Sequence, residues 1–213
     1  MRDRGQFQNA IEKYRSAQTA FEELRRTEEA LDASRKIAVI HLFRGEHSVA
    51  RSILDHCCLQ FEKHANLFGL IKTYYALGWA KNLVGEWKQA ENLHAQGLEL
   101  AKAYQSNNKW ETNYLLLSGY VHLGYDYLQQ QDYDQAEMMF NESYKVSLDL
   151  KEERERGWIL LGLGRLFYRR ASQSSEGNKD KDAFDYSGKA EIFFQEAEKY
   201  HRASGFQIRI ALT

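Results

Sequence analysis

Imidazole beside two thiols is a zinc-type donor set, and His56, Cys57 and Cys58 place those groups side by side. Their spacing argues against a metal. Consecutive residues on a helix point about 100° apart, whereas helical metal sites use i, i+3 or i, i+4 pairs. His41, His47, His64, His94, His122 and His201 form no second cluster at ligand spacing. No Gly-rich phosphate loop, His-Glu-x-x-His pair or nucleophile elbow is present. Gly157, Gly162 and Gly164 fall inside an apolar helical stretch, where small residues serve close packing. The run Glu152-Glu153-Arg154-Glu155-Arg156 has the pattern of a solvated helix face. Asn141-Glu142-Ser143 matches a glycosylation sequon only by chance. The expectation is no catalytic residue, no metal site and no cofactor.

The elements that must position these side chains are helices. Proline is absent from all 213 residues, and helix interiors exclude proline above all. With 43% hydrophobic residues the chain can bury a core. No apolar run approaches the length of a membrane-spanning helix. A net charge of −1 gives no general drive toward nucleic acid or an anionic membrane, so neither is expected as a partner. No apolar segment follows Met1-Arg2-Asp3-Arg4, so no signal peptide is expected, and adjacent cysteines cannot easily bridge each other. These features predict a reducing, cytoplasmic location.

Those helices recur at a fixed interval. Gly5-x-x-x-x-Ala10 returns as Gly45-x-x-x-x-Ala50 and again, at the same spacing, as Gly85-x-x-x-x-Ala90. Gln131 to Ala136 is a weaker copy, and Ala190 is a fifth alanine of this type. Such a period means one supersecondary unit stacked on copies of itself. The glycine suits a bend, and the alanine suits a close helix crossing. The apolar spacing predicts helices over 5–25, 28–43, 47–64, 67–83, 87–104, 109–129, 133–150, 153–171 and 183–203. Paired, they give a truncated unit (5–25) and repeats at 28–65, 67–105, 108–151 and 153–204. The polar stretch 172–182 predicts a surface loop, and 206–213 the start of a further helix. Neither end carries a polar capping repeat, so flanking domains or self-association through the ends are expected.

These residues resemble tetratricopeptide repeats. Tyr74, Leu77, Gly78, Gly85, Ala90 and Gly97 fall on that family's signature positions in one copy. In the next copy Tyr120, Leu123, Gly124, Tyr127, Tyr133, Ala136 and Phe140 do so. Leu163, Gly164, Phe167, Ala190, Phe194 and Ala197 do so in the last. The family's usual unit is shorter, about 34 residues with a closing proline. The longer, proline-free unit here is similar to the subclass in kinesin light chains and bacterial peptide-sensing regulators. The resemblance implies an all-α, right-handed superhelical solenoid of antiparallel helical hairpins.

It also implies that the first helix of each hairpin lines a concave groove. The partner-binding residues would then be Arg35, Lys72, Tyr75, Trp79, Asn82, Tyr125, Trp158, Arg165, Tyr168 and Arg169. Tyrosine, tryptophan and arginine dominate binding hot spots, and guanidinium groups bind carboxylates in a fork. A protein or peptide with apolar anchors and an acidic group is the expected ligand of a non-catalytic scaffold. A sensor arm of a larger regulator and a self-assembling structural subunit are the alternatives. The family's clamp for a terminal carboxylate is not expected, because Ser118, Val121 and Tyr125 do not continue what Lys72 and Asn82 begin.

Overall fold

The structure is a computed structural model that describes residues 2–150, 153–176 and 180–203. All regular elements among them are helices: α1 (Arg2–Glu23), α2 (Thr27–Phe43), α3 (His47–Lys63), α4 (Leu67–Leu83), α5 (Trp87–Ala103), α6 (Lys109–Gln129), α7 (Tyr133–Leu150), α8 (Glu153–Glu176) and α9 (Asp180–Ala203). They group into two compact units, Met1–Ser106 with α1–α5 and Asn107–Thr213 with α6–α9. The expected further helix at 206–213 lies outside the described residues.

In the first unit α2, α3, α4 and α5 are each 17 residues long. Each junction is built the same way. Arg25, Gly45, Ala65 and Gly85 all take positive φ, between 53° and 81°. Around Gly45 the Glu46 amide donates to the His41 carbonyl (2.9 Å) and the Gly45 amide to Leu42 (3.0 Å). These are the two bonds of a Schellman cap, which satisfies carbonyls that a helix end leaves open. The same pair recurs from Arg26 and Arg25 to Phe21 and Glu22, and from Asn66 and Ala65 to Phe61 and Glu62. It recurs again from Glu86 and Gly85 to Lys81 and Asn82. The backbone therefore repeats at every helix junction, twice as often as the glycine marks. Gly5, expected at a bend, lies inside α1.

Four of the five anchor alanines are core residues: Ala50, Ala90 and Ala136 are fully buried and Ala190 nearly so, while Ala10 is half-buried. In the first unit Ala38, Leu42, Ala50, Leu54, Ala76 and Ala80 pack across α2, α3 and α4. The mid-helix glycines are seats for rings. A Cβ on Gly69 would come within 2.5 Å of Phe61, and one on Gly97 within 2.5 Å of Tyr75.

The second unit packs Leu117, Leu128, Phe140, Ile159, Leu163 and Leu166 into one cluster. The Phe140 ring lies against both Gly124 and Gly162, and Phe194 against Gly164. Its α6–α7 junction repeats the Schellman cap, with Gln131 at φ 62° in the place of glycine. The loop expected over 172–182 is mostly helix, since α8 runs on through Glu176 and α9 starts at Asp180. Two of its three serines bond within the helix: Ser172 donates to the Tyr168 carbonyl and Ser175 to Ala171. The added turns are solvent-facing: Ser172, Gln173, Ser175, Lys181 and Asp182 are exposed, and burial resumes only at Ala171 on one side and Ala183 on the other. Gly177, Asn178 and Lys179 lie outside the described residues.

Candidate functional site

In the first unit, α2 and α4 lie side by side and touch along a seam. One end of that seam is ionic. Asp32 of α2 accepts from Lys72 Nζ of α4 at 2.8 Å, an interval of one sequence repeat. Arg35 Nη2 bonds the same oxygen at 2.8 Å, and Lys36 Nζ approaches the other at 3.1 Å. Lys72 also sits over the Phe68 ring, 4.2 Å from its centroid. Three cations thus share one carboxylate. Burial pushes the Asp32 carboxyl up, but Arg35 and Lys72 outweigh it and hold the group well below the usual carboxylate range. Burial and the Arg35 charge push the Lys72 ammonium down, and Asp32 offsets only part of that.

The other end of the seam is aromatic. Phe43 of α2 meets the edge of Trp79 of α4 at 4.8 Å between centroids, and stacks with Phe7 of α1 at 6.3 Å. Phe43 is 51% exposed and Leu83, the last residue of α4, 42%. From Lys72 to Trp79 is two helical turns, roughly 10 Å along the axis. Both contacts lie on one face, since the steps from Lys72 to Trp79 and from Asp32 to Phe43 are whole numbers of turns within about 20°.

Of the residues expected in the groove, Arg35, Lys72 and Trp79 are on this seam, and Asn82 is half-buried one turn beyond Trp79. Tyr75 is not available. It is 3% exposed, its ring fills the space over Gly97, and it belongs to the core. Tyr75 stands one period after Arg35, but Gly97 of α5 leaves room for its ring, which faces the second helix of its own hairpin. The expectation missed Asp32, Lys36, Phe43 and Phe68. Spacing could have found Asp32, which lies one helical turn before Arg35 and one period before Lys72.

In the second unit the corresponding seam joins α6 to α8. Tyr125 donates its hydroxyl to the Trp158 carbonyl (3.0 Å) and packs edge-on against Phe140 at 5.2 Å. Burial pushes its phenol up to about 12. Arg169 donates to the Leu128 carbonyl at 2.8 Å and to the Gln129 side chain at 3.2 Å, closing the C-terminal end of α6. These two residues are fasteners of the unit rather than free contacts. Trp158 is half-buried, Arg165 is exposed, and Tyr168 is 48% exposed. Arg170, which the expectation passed over, bonds Asp134 and Glu137 of α7.

Burial raises the thiols of Cys57 and Cys58 to about 11, which leaves neither poised as a nucleophile. Among the described residues no group of three His, Cys, Asp or Glu side chains could hold a metal, and no helix is long and apolar enough to cross a membrane.

Helical hairpins of this kind, stacked on a glycine and alanine framework, define a tetratricopeptide-like all-α repeat fold. Two solved structures share it over nearly the whole chain. BtubC (BKLC) from P. vanneervenii matches with a TM-score of 0.59 and 14% identity, over 98% of this chain and 94% of that one. A kinesin light chain from Podosopora anserina with nearly identical TPR-like repeats matches with a TM-score of 0.55 and 16% identity, over 95% and 90%. No family model matches the sequence, and no curated protein does. At these identities the likeness is one of fold.

Proposed function

We propose that this chain is a non-catalytic scaffold that captures a peptide segment of a partner protein along the α2–α4 seam. The observation that carries the reading is the seam itself. A surplus of positive charge at Asp32, Arg35, Lys36 and Lys72 lies about two turns from an aromatic patch formed by exposed Phe43 and half-buried Trp79. An apolar side chain covering Phe43 removes aromatic surface from water, and an acidic group nearby relieves the like charges. The aromatic end supplies affinity, and the cationic end sets register and on-rate. Arg165 and Tyr168 of the second unit are a separate, smaller candidate surface.

The test is selection of peptides from a random display library against the whole protein. The expected winners carry an aromatic or aliphatic anchor and an acidic residue. Phe43→Ser removes the half-exposed ring that bridges Phe7 and Trp79 and, with folding checked by melting temperature, should weaken them at least tenfold. Retention of the same peptides within twofold by Phe43→Ser would contradict the reading.

A further inference from the structure

The charge count at the cationic end of the seam points to a more specific ligand than an acidic side chain. Arg35, Lys36 and Lys72 share the single carboxylate of Asp32, an excess of two positive charges within this cluster, and Glu28, the carboxylate one turn earlier on α2, is bonded instead to the Asn66 side chain. Two of these cations are largely withdrawn from water, with side-chain exposures of 12% for Arg35 and 15% for Lys72. Withdrawal strengthens both their mutual repulsion and their attraction to an anion. Donors are also left over. Each ammonium has three N–H groups and the guanidinium five. Among the described residues their bonds run only to Asp32, with the Phe68 and Tyr14 rings beneath Lys72 and Lys36.

A carboxylate would cancel one of the two charges. A phosphomonoester carries about 1.5 to 2 negative charges near pH 7 and offers three acceptor oxygens, which matches both the charge and the unused donors. The phosphodiesters of a nucleic acid carry one charge each, and the patch at Phe43 and Trp79 calls for an apolar side chain beside the anion. Resting on the peptide reading above, we infer that Arg35, Lys36 and Lys72 form a subsite for the phosphoryl group of a phosphorylated peptide whose apolar residue sits on Phe43 and Trp79. The two ends of the seam are roughly 10 Å apart along the helices. An extended peptide advances about 3.3–3.6 Å per residue, so the phosphorylated and apolar positions are about three residues apart.

The test uses the full chain and calorimetric titration with short synthetic peptides. Each carries a tryptophan and, at the third position beyond it, phosphoserine, glutamate or serine. Phenyl phosphate and a single-stranded oligonucleotide are the companion probes. The phosphoserine peptide should bind at least tenfold tighter than the glutamate peptide, and the serine peptide weakest. Lys36→Gln and Lys72→Gln should each cut the phosphate advantage, read as the ratio of the phosphoserine and serine peptides' affinities for the same variant, to under threefold. The advantage should also shrink between pH 7.5 and 5.5, as the phosphate takes up its second proton near about pH 6. Equal binding of the phosphoserine and serine peptides would overturn the inference and leave the peptide groove standing. Equal binding of the glutamate and phosphoserine peptides, or an advantage that survives both lysine variants, would overturn it as well. Tighter binding of the oligonucleotide would replace it with nucleic-acid recognition. Binding of phenyl phosphate at Lys36 and Lys72 with no peptide bound would uphold the phosphoryl subsite and overturn the groove.

Discussion

The α2–α4 seam of the first unit and the α6–α8 seam of the second are built from corresponding helices, yet they use their polar groups differently. In the second, Tyr125 and Arg169 donate to the backbone carbonyls of Trp158 and Leu128, so both side chains hold the hairpins together. In the first, the cations converge on one aspartate and remain undersupplied with acceptors, while Phe43 and Leu83 stay in water. A seam closed by its own backbone is a structural joint. A seam with spare donors beside an apolar patch is suited to a partner. The difference teaches that residue type alone does not assign a groove residue: arginine, expected to meet a partner on both seams, fastens backbone on one and stands in the cationic cluster on the other.

The largest expected effect attacks the joint. Phe140→Ala removes the ring wedged against Gly124 and Gly162, and should destabilise the second unit by about 3–5 kcal/mol in a denaturant titration. Next comes the ionic end of the first unit. Asp32→Asn leaves Arg35, Lys36 and Lys72 facing one another and should cost about 2 kcal/mol at neutral pH. The pH dependence has a definite sign. The folded-state pKa of Asp32 is depressed, so its contribution is present above the unfolded value of about 3.9 and is lost as pH falls toward the folded value. The gap between wild type and Asp32→Asn should therefore close in acid melts below about pH 3.9. A constant gap would show that Asp32 acts by packing and not by charge.

Smaller still is the junction effect. Ala65 holds the positive φ that Gly45 and Gly85 hold elsewhere. Ala65→Gly relieves the left-handed strain and restores some unfolded-state entropy, for a net gain of about 0.5 kcal/mol, read as a raised melting temperature. A lowered melting temperature would mean that the Ala65 methyl packs usefully despite its backbone.

Much of the fold was legible because the repeat is written in small residues. The helices at 67–83, 109–129 and 133–150 were readable to the residue from apolar spacing and polar breaks. The shorter backbone period was not, since Arg25 and Ala65 occupy glycine's conformation without glycine's identity. The turns added at 172–176 and 180–182 were hidden for a related reason: serine helices look like loops until their hydroxyls are seen to bond the preceding turn. At the site, Arg35, Lys72 and Trp79 were readable from repeat position, whereas the burial of Tyr75 depends on Gly97 lying opposite its ring. The exposure of Phe43 could not be read at all, because a phenylalanine at a helix end reads as core.

Four tryptophans divide evenly between the units, Trp79 and Trp87 in the first and Trp110 and Trp158 in the second. Fluorine NMR of 5-fluorotryptophan-labelled protein, titrated with a peptide selected on the display library, therefore tests the central claim directly. The account predicts that the Trp79 resonance shifts in step with binding while Trp110 and Trp158 stay in place. A shift at Trp158 with Trp79 unmoved would contradict it and move the binding surface to the second unit.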